Sequence, residues 1–390
     1  MSKSHPSQII GIILLTLFIT SSVYADIAYD VIDLGTITTS ASNASSISNN
    51  GQIVGGISSG LPSTWKAVLF DPTGGGQNIL LGQLPYSRAN SINDKEQIVG
   101  SSQYRATLFD YTGGWNNVDL GTLGGAISAA YSINNNGQIV GGAENSAGFT
   151  IATLFDLTDA SNNINLGISP AGLPDGKRSE ALSINNKGNG QIVGYYVNLS
   201  DNTRAILFDS TGAGNNIDLG TLVGFTGSCA RSINDTGQIV GFSGDGINGQ
   251  YWGQYNVYAT LFDSTGVGNN VNLGTLNNYH DASLAYSINN NGQIVGTSAL
   301  KLMSNYAFRA TLFDPTGNGN NIDLNSLINP ASGWNLMIAT SINDNGRIVG
   351  EGLNPAGQEH AYLLMPVPEP GTIVLLGLGA LILKIKIKKA

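Results

Sequence analysis

Few residues of this chain have the chemistry of a catalyst, and their spacing argues against one. His280 and Asp281 form the best general-base pair available, an imidazole beside a carboxylate. Adjacent residues on a loop rarely orient one another, however, so this pair reads as loop decoration. His360 opens the strand-like stretch HAYLLMP. Cys229 is the only cysteine. It has no histidine near it in sequence, reads as a small buried residue and not as a nucleophile, and being alone excludes an internal disulfide. No Walker loop, GxSxG elbow or metal-ligand cluster appears. The sequence therefore assigns no catalytic residue, no metal and no cofactor.

Recognition is the second chemistry on offer. The stretch QYWGQY places Tyr251, Trp252 and Tyr255 between glutamines, with a glycine that lets the backbone bend. Tyr104, Tyr195, Tyr196 and Trp65 stand in comparable segments. Aromatic faces stack on the CH-rich faces of sugars while amides and guanidinium groups bond hydroxyls. The same mixture serves a protein interface, and scattered surface aromatics also occur with no ligand at all. The turns headed by Asp71, Asp110, Asp209, Asp263 and Asp314, such as DSTGAGNN, are oxygen-rich. Each offers one carboxylate where a tight calcium site collects several, and turn chemistry alone accounts for Asp, Gly and Asn.

These segments lie between copies of one unit. SINNNGQIVG begins at Ser132, with near-copies at Ser46, Ser91, Ser183, Ser232, Ser287 and Ser341. A period of 41 to 55 residues marks a repeat architecture. Each unit supplies four short β-compatible pieces: one ending in SIN, a second written QIVG, a third like ATLFD and a fourth like NIDLGTL. The Asn-Gly composition between the first two suits a tight hairpin. Four strands per unit predict an all-β, seven-bladed β-propeller of four-stranded blades. The chain opens with a lone fourth strand (residues 28–37) and closes with three strands lacking a fourth, so the N-terminal strand should pair with the C-terminal blade and close the ring. Short, uniform hairpins would then lie on one face. Links of varied length, the aromatic ones among them, would lie on the other, where binding is expected.

Both ends carry processing signals. Residues 1–25 have a lysine, an apolar core and small residues before Asp26, as a Sec signal peptide does. The repeat domain is expected over 26–365 and a sorting segment over 366–390. That segment holds Pro368, Glu369 and Pro370, an apolar run from Gly371 to Leu383 and four lysines. With residues 1–25 and the tail after Glu369 removed, 12 basic residues face 26 acidic ones, a net charge of −14. Such a chain is unsuited to neutralising phosphates, so nucleic acid is excluded as a partner.

The Pro-Glu-Pro triplet, apolar helix and basic tail resemble the PEP-CTERM sorting signal of Gram-negative bacteria. The resemblance implies a transient inner-membrane anchor, a transmembrane helix removed by an exosortase, and association with exopolysaccharide and biofilm. The repeats resemble those of the HAF-repeat extracellular proteins, with His360-Ala361-Tyr362 coming closest to the His-Ala-Phe strand and the other copies replacing the histidine. That resemblance spans roughly residues 28–365 and implies an exported module at the cell surface or in the matrix, meeting polysaccharide or matrix proteins, with no activity attached. The rival expectation is a carbohydrate-active enzyme, a lyase or hydrolase, with its site on the variable face.

Overall fold

SINNNGQIVG folds as strand, turn, strand because its first asparagine builds the turn. In the copy at Ser132, Asn134 Oδ1 accepts the N–H groups of Asn136 at 3.1 Å and Gln138 at 2.9 Å, while Gly137 takes φ 82°. This is an Asx turn closed by a left-handed glycine. The computed structural model describes residues 29–37, 41–58, 65–82, 86–170, 177–245, 256–276, 281–302 and 305–367. Seven four-stranded antiparallel sheets result. Blade 1 runs Ser42–Ile47, Ile53–Ile57, Lys66–Phe70 and Ile79–Leu80, and the pattern repeats along the chain. The seventh sheet is the expected exception: Asn335–Ile342, Ile348–Leu353 and Glu359–Pro366 are completed by Tyr29–Asp33.

The seven-bladed propeller read from the repeat is thus the observed fold, closed by the N-terminal strand. Tyr29 lies opposite Pro366 and Asp33 opposite Tyr362. Beyond the strand, His360 Nδ1 stands 2.8 Å from Asp33 Oδ1, and Leu34 donates to the Ala361 carbonyl at 3.0 Å. Residues separated by more than 300 positions are therefore joined, and the edge of Glu359–Pro366 is covered.

Apolar alternation sorts the core into the spaces between blades. Val54, Ala67 and Leu81 of blade 1 pack on Ala89, Ile92, Ile98 and Phe109 of blade 2. The blade 4–5 and 5–6 interfaces repeat the set, for example Val240, Ala259 and Leu273 against Ala285, Ile288, Ile294 and Phe313. Within QIVG the isoleucine thus faces the preceding blade and the valine the following one. No blade buries its faces alone, which is the physical reason for the repeat.

Two unbroken circles of hydrogen bonds explain the polar letters. The SIN serine of each blade accepts from the SIN isoleucine N–H of the next at 3.3 to 3.4 Å. The residue after each SIN asparagine, or after Ser48 in blade 1, donates its backbone N–H to the matching side-chain oxygen one blade on, from Asn49 to Asp94 and finally from Asp344 back to Asn49, at 2.7 to 2.9 Å. A third circle is open at one place. Six SIN asparagines donate Nδ2 to the carbonyl of the matching residue in the next blade at 2.9 to 3.0 Å. Blade 1 carries Ser48 instead, too short to reach.

Candidate functional site

Every inner strand slips by one residue between its alanine and its serine, a β-bulge repeated in all seven blades. A bulge leaves one residue unpaired and re-aims it. Here those residues are Ser45, Asn90, Tyr131, Leu182, Arg231, Tyr286 and Thr340, and all of them line a central cavity of about 810 Å³. The bulge also dictates the glycine of QIVG: a Cβ at Gly100 or Gly194 would overlap the carbonyl oxygen of Arg88 or Glu180 on the inner strand. Arg88 and Arg178, near the start of inner strands, and Ser101 and Tyr195, on second strands, extend the lining toward the face with the variable links. At the other end the axis narrows to a depression of about 160 Å³ ringed by Asn49, Asp94, Asp235 and their counterparts. Their hydrogen-bonding capacity is spent on one another, so the wider cavity is the candidate site.

Its charge runs against that of the chain. The lining holds Arg88, Arg178 and Arg231 against Glu180, in a protein of net charge −9. The ion pairs found among the described residues involve Arg105, Lys177, Arg204 and His360. Arg231 lies 5.6 Å over the Phe242 ring, and its Nε is buried with no hydrogen-bond acceptor. Arg88 stacks 4.8 Å above Trp65. Glu351, within electrostatic reach of Arg88, is pushed up to about 7, by burial first and by Glu359 second, with Arg88 opposing. Burial, with help from Glu180, also raises the Tyr195 hydroxyl well above the usual tyrosine range. Burial likewise raises Tyr286. At neutral pH these phenols are neutral hydrogen-bonding groups.

The sequence-predicted residues separate into distinct environments. Tyr251, Trp252 and Tyr255, together with His280, Pro368, Glu369 and Pro370, lie outside the described residues, as does the apolar run after Pro370. Among the described residues no helix is long and apolar enough to cross a membrane. Tyr104 is 61% exposed and stacks on Tyr86 at 5.9 Å. It is held there by a two-residue hairpin in which Gln103 and Tyr104 take φ 48° and 64°, a left-handed pair that hairpins require and that glycine or asparagine adopts more readily. Trp65 is half-buried beneath Arg88. Tyr195, buried to 1%, lines the cavity. Its neighbour Tyr196 belongs to the packing between blades, with its hydroxyl 3.0 Å from an Asp218 oxygen that also receives Arg204.

The remaining chemistry-bearing residues have structural partners. Cys229 is buried and its thiol is pushed up to about 11 by that burial, so it is a protonated thiol packed beside Phe242. His360 is tied into the ring closure. In the turns headed by Asp110, Asp209, Asp263 and Asp314 the carboxylate bonds its own threonine and asparagine, as Asp209 does with Thr211 at 2.7 Å and Asn215 at 3.0 Å, and in the Asp71 turn Gln77 takes the asparagine's place. These bonds hold Asp209 down at about 2. The turn's last asparagine reaches the preceding blade, Asn216 Nδ2 donating to the Leu166 carbonyl at 2.9 Å. No group of three or more His, Cys, Asp or Glu able to hold a metal occurs among the described residues.

Sequence reasoning passed over Tyr131, Arg178, Glu180, Arg231 and Tyr286. A signal for three of them was present: within A-x-S-I, alanine, serine and isoleucine stay constant in every blade while x runs through Ser, Asn, Tyr, Leu, Arg, Tyr and Thr. A position that varies inside an otherwise fixed strand faces open space.

Comparison with known families gives two matches. Residues 215–375 match a family described as "Protein of unknown function (DUF3466)", which here covers the end of blade 4, blades 5 and 6, and three strands of blade 7. No curated protein matches the chain. Residues 366–389 match the PEP-CTERM protein-sorting motif. With that motif behind the propeller, the chain is an exported, surface-associated protein that exosortase sorts and processes.

Proposed function

We propose that this protein is a non-catalytic binding module of the HAF-repeat kind, which leaves the cytoplasm by the Sec route, loses residues 1–25 and the sorting segment 366–390, and meets exopolysaccharide or matrix proteins of a biofilm through the variable face of its propeller. One observation carries the reading. The Tyr- and Arg-lined cavity extends toward that face, and Arg88 belongs both to its lining and to the Trp65 stack. An aromatic-rimmed opening on a rigid ring has the form of a ligand site. Tyr104, Trp65 and Tyr195 are proposed as its contacts, with Tyr251, Trp252 and Tyr255 of the fifth-blade link. The buried thiol of Cys229 and the engaged imidazole of His360 favour binding over turnover.

A glycan array on the processed protein, run beside pull-downs from biofilm matrix, tests the proposal. Glycan or matrix-protein capture that Trp65→Ala together with Tyr104→Ala abolishes, with the melting temperature kept, is the expected result. Capture that these substitutions leave intact would move the site off this face. Shortening of a bound glycan would establish the carbohydrate-active enzyme instead.

A further inference from the structure

We infer that the central cavity is a subsite for the carboxylate-bearing end of an acidic saccharide, with Arg231 and Arg178 as its anion-binding groups and Tyr131 and Tyr286 as its stacking walls. The inference deepens the proposed function and rests on it.

Three observations support it independently. The first is an uncompensated cation. Arg231 is a bulge residue aimed into the cavity, and its Nε is buried without an acceptor. Burying a guanidinium donor unpaired costs stability, and Arg231 carries that cost at a position that lines the cavity. An arginine fork matches a carboxylate in bidentate fashion. The second is the field. Three arginines against one carboxylate, Glu180, line one cavity of an otherwise acidic protein. A low-dielectric cavity with an excess of positive charge focuses attraction for anions. The third is size and texture. A volume of about 810 Å³ lies in the range of small-molecule sites, roughly 300–1,000 Å³, and is too small for a folded partner. Tyr131 and Tyr286 offer rings for sugar faces. A bare inorganic anion would leave those rings unused.

The test is titration calorimetry on the exported, processed protein with three probes: tri-galacturonic acid, the neutral trisaccharide maltotriose, and inorganic phosphate. The inference predicts saturable binding of the acidic trisaccharide, at least tenfold weaker binding of maltotriose and phosphate, and at least a tenfold loss for Arg231→Gln and for Arg178→Gln. It also predicts that Arg231→Gln melts no lower than the parent, because an unpaired buried donor has been removed. A melting temperature lowered by many degrees would make Arg231 a structural residue and overturn the assignment. Equal binding of maltotriose would overturn the anionic part while leaving the module reading intact, and binding of phosphate alone would make this a small-anion site. If none of the probes binds while the array still scores neutral glycans on Trp65 and Tyr104, the subsite is wrong and the proposed function stands.

Discussion

Ser48 interrupts a pattern that every other blade obeys, and restoring the pattern should stabilise the ring. In blade 2 the equivalent Asn93 donates Nδ2 to Gln97 Oε1 at 2.8 Å and to the Asn134 carbonyl at 2.9 Å. In blade 1 Ser48 can do neither, and Gln52 Oε1 is a buried acceptor with no partner. Leaving a buried acceptor unsatisfied costs about 1–3 kcal/mol, and a new net hydrogen bond contributes about 1 kcal/mol. Ordering the longer side chain costs roughly 0.5–1 kcal/mol. Ser48→Asn should therefore raise stability by about 1–3 kcal/mol. The reciprocal change, Asn234→Ser, abandons the Asn289 carbonyl at 3.0 Å and Gln238 Oε1 at 2.8 Å, and should lower stability by a similar amount. Urea unfolding measured by intrinsic fluorescence reads both, as shifts of midpoint at unchanged slope. If Ser48→Asn is neutral or destabilising while Asn234→Ser is destabilising, the gap is not an energetic defect and the reasoning from the third circle fails.

Three further outcomes follow from the same geometry. Deleting residues 26–37 removes the strand paired with Glu359–Pro366 and bares that edge, so the product should unfold or oligomerise on size exclusion. A monomer melting like the parent would contradict ring closure. Glu351, whose carboxyl titrates near 7 in the folded protein against 4.5 for the unperturbed group, binds its proton more tightly when folded, so stability should fall as pH rises from about 4.5 to 7 and level off above. At about 1.36 kcal/mol per unit the loss is on the order of 3 kcal/mol at most. Glu351→Gln should remove that slope and be the more stable protein at pH 8, and an unchanged slope would locate the titration elsewhere. EDTA should leave the melting temperature unaltered, because the turn carboxylates are occupied by their own threonines and asparagines. A drop of many degrees would place a cation in those turns.

The architecture was legible because the repeat writes it seven times and the two ends write it in halves. Period, Asn-Gly turns and the orphan fourth strand left one closed arrangement. What the letters do was less accessible. The alanine two residues before each SIN serine, Ala89 for one, is fully buried and also marks the bulge that turns the following residue inward. That slip cannot be read from alternation, since the pattern of apolar residues survives it. Binding residues were sought among aromatics of the variable links, of which Tyr104 is exposed and Trp65 half-buried. Composition cannot separate Tyr195, on the cavity wall, from Tyr196, whose side chain leaves the other side of the same strand and packs between blades. Arg231 was missed for a related reason: a charged residue inside an apolar strand is noticed only when the seven copies are compared position by position.

The central claim is that ligands meet this protein on its variable face and enter the axial cavity. Hydrogen–deuterium exchange of the processed protein, with and without polysaccharide from the host's own biofilm, tests it most directly. Slowed exchange is expected in residues 101–105 at the Tyr104 hairpin and in the cavity-lining segments 178–182 and 229–231, with the Asp-Thr-Gly turns unaffected. Protection confined to those turns, or to the circle of Asn49, Asp94 and Asp344 at the opposite end of the axis, would contradict it.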